Sequence, residues 1–172
     1  MQPALLDGVI GVERYETPGI YNGRGIVYRV DEVRYGVYPT REWAFPLGEM
    51  LGRLSVDRLG QRSVARAGAV YEPSVRRRAE YAWRGTVREF EEVNRGNRVL
   101  AAVHLEARLI RSSDGTPVWS GSRRLEREIP QPTMPAIVDA LSELASQAVT
   151  ELADSARLAI SDGKTTGSTP RE

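Results

Sequence analysis

The chain has 172 residues, of which 41% are hydrophobic and 27% are charged, and its formal net charge is +1. This balance predicts a globular domain with an adequate core, and the near-neutral charge argues against a large nucleic-acid footprint. The sequence contains no cysteine, which excludes disulfides, thiolate metal sites and cysteine nucleophiles. No apolar run approaches the roughly 20 residues that a helix needs to cross a bilayer.

The N-terminal part of the chain predicts one strand followed by a hairpin. Residues 6–14 predict the first strand, with Ile10 and Val12 on one face. Two runs rich in Val, Ile and Tyr then flank the polar pair Asp31 and Glu32. Because strand-forming residues on both sides of a polar pair are typical of a turn, the sequence predicts a tight hairpin there.

A tryptophan and a proline follow the hairpin and lead into a helix. Trp43 is predicted to be a buried corner residue between the hairpin and that helix. Pro46 stands where a helix can begin, since the first helical residue needs no N–H donor. Apolar residues at helical spacing predict the helix over 47–59. Residues 64–70 predict a short strand and residues 71–80 a polar connection.

Three long strands joined by short turns are predicted next, as an antiparallel meander. Val99 to Leu109 alternates strictly between apolar and other residues, which is typical of a strand with one buried face. In the strand before it the alternation changes phase, so we expect a bulge near Glu89. Glycine-containing turns separate the strands. The predicted strands and turns are 81–93, 94–97, 99–109, 113–116 and 118–129.

A long C-terminal helix completes the predicted fold. Thr133 can cap its first turn, and apolar residues at spacings of three and four form a single stripe that ends near Ile160. Residues 161–172 are rich in Gly, Ser and Thr and are predicted to be a disordered, dispensable tail. The whole pattern predicts one α+β domain over residues 1–160, with a largely antiparallel, mixed sheet and two helices packed on one face.

Few residues suggest chemistry. His104 is the only histidine, and no acid or serine is placed beside it by a motif, so we interpret it as structural. Glu89, Glu91 and Glu92 are interpreted as a solvated, charge-paired face. The basic triplet 76–78 is interpreted as a solvated loop, with contact to anionic lipid headgroups or an acidic partner as the alternative. No catalytic residue, metal site or cofactor is predicted.

The hairpin and its corner resemble a known family. The run 26–29, the second strand 35–38 and the sequence Arg-Glu-Trp-Ala-Phe-Pro-Leu at 41–47 are similar to the ABC-type transport auxiliary lipoprotein family (PqiC/YmbA-like). The later order of strands and helix fits as well, so the resemblance extends over roughly residues 8 to 158. The motif residues that carry it most specifically are Tyr28, Arg29, Arg41, Trp43 and Pro46.

The resemblance implies a non-enzymatic role in lipid transport. Members supply the outer-membrane lipoprotein subunit of MCE-type systems, which also contain an ABC transporter and an MCE-domain protein that spans the periplasm. The chain is therefore expected to lie in the periplasm, held at the outer membrane by an N-terminal lipid, and to dock the MCE protein. Because this sequence has no lipobox cysteine, the anchor is expected to belong to a leader that precedes Met1.

Aromatic and arginine side chains on the long strands predict an interface, because both residue types are enriched where proteins meet. It would serve protein partners or further copies of the chain. The candidate interface residues are Trp83, Arg84, Arg88, Trp119, Arg123 and Arg127. Two other readings stay open: a lipid or other small-ligand binding module with a pocket between sheet and helices, and a hydrolase without a recognisable motif.

Overall fold

A computed structural model describes residues 5–72 and 79–166 of the chain. The described residues form seven strands, two helices and a short 3-10 helix in an α+β arrangement. The elements are β1 (Ile10–Val12), the 3-10 helix (Gly19–Asn22), β2 (Gly25–Arg29), β3 (Tyr35–Glu42), α1 (Leu47–Gln61), β4 (Ala69–Tyr71), β5 (Tyr81–Arg95), β6 (Arg98–Arg111), β7 (Pro117–Glu128) and α2 (Met134–Thr166).

The strands form one mixed sheet around β5. The antiparallel meander of β5, β6 and β7 makes one half of the sheet, as the sequence predicts. The other edge of β5 is shared by two strands that both run parallel to it: β1 beside its beginning and β2 beside its end. β4 pairs with β1, and β3 pairs with β2, so the sheet divides into two arms on this side.

The predicted bulge in β5 is confirmed. The register between β5 and β6 shifts between Val87 and Glu89, so one residue of β5 has no partner there. Before the shift Trp83 and Val87 face the helices, and after it Phe90 takes over that face. A bulge of this kind keeps large apolar residues on the buried face although the two-residue period is broken.

Both helices pack on the same face of the sheet, as predicted. The rings of Trp83 and Trp119 stack at 5.2 Å, and Trp119 Nε1 donates to Ser155 Oγ of α2 at 3.3 Å. Trp83 Nε1 donates to the Tyr15 hydroxyl at 3.1 Å, and that hydroxyl meets Ser55 Oγ of α1 at 2.9 Å. Burial raises the pKa of Tyr15, so this hydroxyl stays a neutral link between the sheet and α1.

One glycine allows this arrangement. A Cβ atom on Gly85 would lie 2.2 Å from the ring of Tyr15, so only glycine lets that ring lie flat against β5. The stripe of α2 then fills the remaining space over the sheet. Its fully buried members are Leu141, Ala148, Val149, Leu152, Ala153 and Ala156.

Three predicted boundaries are wrong. The hairpin turn is wider than a two-residue turn, since it spans residues 30–34 and is closed by the Val30 N–H donating to the Arg34 carbonyl at 2.9 Å. Asp31 accepts from the backbone N–H groups of Val33 and Arg34 and so orders the wider turn. The strand predicted at 64–70 is only Ala69–Tyr71, because residues 62–68 form turns after α1.

The third boundary is the end of the C-terminal helix. α2 continues to Thr166, so residues 161–166 are helical although the sequence predicts a tail from residue 161. Once a helix exists, each further residue adds a backbone bond at little cost, which explains the extension without apolar anchors. Residues 167–172 lie outside the described residues.

Deletion of residues 161–172 is expected to leave the fold intact. Ile160 is the last buried apolar residue described in α2, and residues 161–172 contain no large apolar side chain, so the deletion leaves the apolar stripe of α2 intact. Thermal unfolding of the chain ending at Ile160 should match that of the full chain within about 2 °C, a shift that corresponds to less than about 1 kcal/mol. A loss of many degrees would show that the segment stabilises the domain.

Candidate interaction surface

The hairpin of β2 and β3 carries an exposed apolar strip. Val33, Tyr35 and Val37 have exposed fractions of 84%, 44% and 42%. Tyr35 and Val37 alternate along β3 and therefore lie on one face, with Val33 at the turn beside them. We call these three residues the hairpin strip. Its outer neighbour is solvent, because β3 is an edge strand of the described sheet.

A buried ion pair joins the hairpin to β5. Arg29 Nε of β2 lies 2.8 Å from Glu91 Oε1 of β5, and the Arg29 guanidinium lies 5.8 Å from the centre of the Tyr35 ring. Glu91 is fully buried, and its second oxygen accepts a hydrogen bond from the Tyr21 hydroxyl of the 3-10 helix. The hairpin, β5 and the 3-10 helix are thus joined at one carboxylate.

Burial affects the acids and phenols of this network. Desolvation raises the pKa of Glu91, although the Tyr21 hydrogen bond and the Arg29 charge act in the opposite direction. Burial and the neighbouring Glu91 carboxylate also raise the pKa of Tyr21, so its hydroxyl remains a donor at neutral pH. Arg124 extends the network, with its Nε 2.7 Å from Glu89 Oε2.

Glu92 belongs to a second buried group on the other face of the sheet. It is buried, and it accepts hydrogen bonds from the Tyr38 hydroxyl at 2.6 Å and from Asn94 Nδ2 at 2.8 Å. Burial, and to a lesser extent the hydrogen bond to Glu92, raises the pKa of Tyr38. Tyr28 and Tyr38 lie with their ring centres 5.0 Å apart. This group fixes the hairpin to the helix side of β5.

The interpretation of the three glutamates as a solvated face is therefore wrong for two of them. Glu89 is partly exposed, whereas Glu91 and Glu92 are buried on opposite faces. The reason is that their partners come from the hairpin and the 3-10 helix, dozens of residues earlier in the chain, and these elements cover the end of β5.

The motif residues take structural positions around the hairpin. Trp43 is buried, as predicted. Its backbone N–H donates to the Arg24 carbonyl at 2.7 Å, and its ring meets that of Phe90 edge-on with the ring centres 5.6 Å apart. Pro46 is the residue before the first turn of α1. Tyr28 and Arg29 belong to the buried groups above, and Arg41 is exposed on β3.

The predicted interface residues fall into two sets. Trp83 and Trp119 are core residues, which corrects their assignment to an outer row. The four arginines are exposed or partly exposed, and each pairs with a carboxylate of the same chain. The pairs are Arg84 with Glu13, Arg88 with Glu106, Arg123 with Glu151 and Arg127 with Glu143. Since Glu143 and Glu151 lie on α2, the last two pairs also hold this helix against β7.

The hairpin strip is absent from the sequence prediction. The run from Val33 to Tyr38 predicts a strand equally well whether its apolar face meets the core or solvent. The available signal is the edge position: Pro39 lacks an N–H and is tolerated only in an edge strand or a bulge. A strand marked as an edge with alternating large apolar residues is a candidate contact surface.

The remaining candidates show no chemistry in the described parts of the chain. His104 Nε2 lies 2.8 Å from Ser122 Oγ on the sheet surface, in a structural pairing. Among the described residues no group of three or more His, Cys, Asp or Glu side chains is placed to hold a metal ion. No described helix has the length and apolar character to span a membrane. The triplet 76–78 lies outside the described residues.

The described residues form an α+β domain whose edge hairpin carries an exposed apolar strip beside a buried ion pair. The sequence matches the model of the ABC-type transport auxiliary lipoprotein component family over residues 2–153. The chain belongs to this family. The resemblance seen in the hairpin and its corner is thereby confirmed.

Solved structures share the fold at low sequence identity. Protein XCC0632 from Xanthomonas campestris is 22% identical with a TM-score of 0.79, over 96% of this chain and 91% of that one. PelC from Paraburkholderia phytofirmans, described as a dodecamer, is 15% identical with a TM-score of 0.60, over 90% of this chain and 89% of that one. No curated protein matches the chain.

Proposed function

We propose that the chain is the non-enzymatic lipoprotein subunit of an ABC/MCE-type lipid transport system. In this role it docks the MCE protein in the periplasm, and an N-terminal lipid holds it at the outer membrane. The observation that carries the proposal is the family match over residues 2–153, because the family is one of auxiliary lipoprotein components of ABC transport. The MCE partner comes from the resemblance of the hairpin and tryptophan corner.

The hairpin strip is the surface proposed to meet the MCE protein. Three large apolar side chains in one exposed row offer area whose burial favours association, at about 25 cal/mol per Å². Most exposed apolar residues occur singly and need no explanation, so an exposed row over a rigid support is more informative. The buried Arg29–Glu91 pair supplies that rigidity, because it fixes the strand on which the row lies.

Replacing Val33 and Val37 together with serine is expected to weaken binding of the neighbouring MCE protein by at least about tenfold, or roughly 1.4 kcal/mol. Both side chains are exposed, so the melting temperature should stay within about 2 °C of the wild type. Pull-down and surface plasmon resonance with the purified MCE protein measure the loss.

Val70→Ser is the matched control for that variant. Val70 of β4 has an exposed fraction of 43%, almost equal to that of Val37, but it lies on the other arm of the sheet. It should leave binding unchanged. Equal binding of the MCE protein by the wild type and the hairpin variant would contradict the assignment of the hairpin strip as the binding surface. No binding by the wild type would contradict the proposal that the MCE protein is the partner.

We also propose that copies of the chain assemble with one another. The similarity of fold to PelC, described as a dodecamer, supports this proposal. The four paired arginines remain candidate interface residues, since an exposed ion pair contributes little and can be exchanged for an intermolecular one. Light scattering of the wild type against Arg88→Glu and Arg123→Glu tests it; a monomer at all concentrations would contradict it.

A further inference from the structure

Two arginines lie directly opposite each other on the sheet face that points away from the helices. Arg84 of β5 is the cross-strand neighbour of Arg108 of β6, and Ser120 of β7 follows in the same row. All three side chains are exposed. Directly opposed residues on one face have Cβ atoms roughly 5 Å apart, and like charges there destabilise the strand pair. The row therefore holds a repulsion that a neutral residue would not produce.

The nearby carboxylates do not remove this repulsion. Arg84 Nε lies 3.0 Å from Glu13 Oε1, but Arg108 makes no hydrogen bond or ion pair with any residue in the described ranges. The next acid along β6, Glu106, is held by Arg88 at 2.9 Å. That bond to Arg88 is also the main reason why the pKa of Glu106 is lowered. Arg108 adds a longer-range attraction to the same Glu106 carboxylate, but it has no direct ion-pair partner among the described residues.

The row borders a groove that offers further donors. The groove has a volume of about 520 Å³, and its basic and hydroxyl lining comes from Arg84, Arg88, Arg108, Thr86, Ser120 and Ser122. Glu106 also lines it, but this carboxylate is paired with Arg88, so the lining keeps a net positive charge. A guanidinium presents paired N–H donors that match two oxygens of a phosphate, and a hydroxyl can donate to a third. Tetrahedral oxyanions suit this set better than chloride, which has no separate oxygens to match.

We propose that the Arg84–Arg108–Ser120 row binds a phosphate group. The ligand is either a soluble phosphate or phosphoester, or the headgroup of a phospholipid. The bound charge would remove the repulsion between the two arginines, which explains why the sheet keeps them opposed. The site stands on the charges of its own row and does not depend on the proposed transport partner.

If the site exists, Arg108→Gln should raise or maintain the melting temperature in chloride but abolish the increase that phosphate causes. In dilute chloride this variant should melt at or above the wild-type temperature, because one of the two opposed charges is gone. Inorganic phosphate should raise the melting temperature of the wild type above that in chloride of equal ionic strength, since a ligand that binds only the folded state stabilises it. Arg108→Gln should lose this phosphate-dependent increase, and Ser120→Ala should reduce it.

Arg66→Gln is the matched control, since it makes the same change of charge. Arg66 is highly exposed, lies in the turns between α1 and β4 and does not line the groove; its Nε is 3.4 Å from Oδ1 of the similarly exposed Asp7. It should keep the full response to phosphate. Arginine Nε–Hε signals of Arg84 and Arg108 should also shift and saturate during an NMR titration with phosphate. A wild-type response equal in chloride and phosphate, or an unchanged response in Arg108→Gln, would overturn the proposal.

Two further arms distinguish the source of the phosphate. Arg108-dependent flotation with phosphatidylglycerol vesicles, absent with phosphatidylcholine vesicles, would identify a lipid headgroup. A response to glycerol phosphate without flotation would identify a soluble phosphoester. Binding of polyglutamate without any response to phosphate would point to an acidic protein segment and so overturn the phosphate assignment.

Discussion

Trp43→Ala is expected to lower the free energy of unfolding by about 3–5 kcal/mol, as large aromatic truncations in cores do. Trp43 is buried between the hairpin and α1, and its ring packs edge-on against Phe90. The variant keeps the backbone bond to Arg24 but leaves a cavity at the point where the hairpin meets the helix layer. For a chain of this size the melting temperature should fall by about 6–20 °C.

Phe45→Ala is the control for this prediction. Phe45 is two residues away and more than half exposed, so its truncation should change the free energy of unfolding by less than about 0.5 kcal/mol. Urea unfolding of both variants gives the comparison. If Trp43→Ala melts within a degree or two of the wild type, the corner is not a packing centre and the motif needs another explanation.

The long meander and its helix could be predicted from the sequence because their signals are local. The apolar residues between Val99 and Leu109 recur with a period of two, and the observed β6 buries this apolar row except for the partly exposed Val99. The bulge near Glu89 follows from a break in the same period. Thr133 Oγ1 accepts from the Ala136 N–H at 3.3 Å, which confirms the predicted cap of α2.

The divided edge of β5 could not be predicted in this way. β1 and β2 both run parallel to β5, and nothing in either short segment specifies which part of a strand far along the chain it will join. The burial of Glu91 depends on that pairing, because Tyr21 and Arg29 reach it only when β2 lies beside the end of β5. From sequence alone a charged residue is predicted to be exposed, because the distant partners that would allow its burial are not known.

The row of Arg84 and Arg108 could not be predicted from the sequence for a related reason. Arg84 and Arg108 lie opposite each other because of the register of β5 against β6. The bulge between Val87 and Glu89 could have shifted this register by one residue. Arg84 was singled out from its residue type, whereas no role was predicted for Arg108. Register, and not composition, brings the two charges together.

Arg29→Met is expected to destabilise the domain by about 3–5 kcal/mol, because it leaves the buried carboxylate of Glu91 without its cation. Arg29 is mostly buried, and its Nε lies 2.8 Å from Glu91 Oε1. Glu89 and Arg124 are next in the network, and they do not supply the missing charge at Glu91 Oε1. The double variant Arg29→Met/Glu91→Gln should recover much of the loss, because no uncompensated charge remains.

The pH dependence of this loss follows from the pKa of Glu91. Burial already raises that pKa above the ordinary value of 4.5, and removal of Arg29 takes away one of the charges that oppose the rise. With a folded-state pKa above the unfolded one, the folded chain binds the proton more tightly, so stability falls as pH rises through the window between the two values. The deficit of Arg29→Met should therefore be largest near neutral pH and shrink as pH falls toward 4.5. Urea unfolding of the wild type, the single variant and the double variant across this pH range measures the deficit. Two results would show that Glu91 is not an uncompensated charge in the single variant: a deficit that does not change with pH, or a double variant no more stable than Arg29→Met.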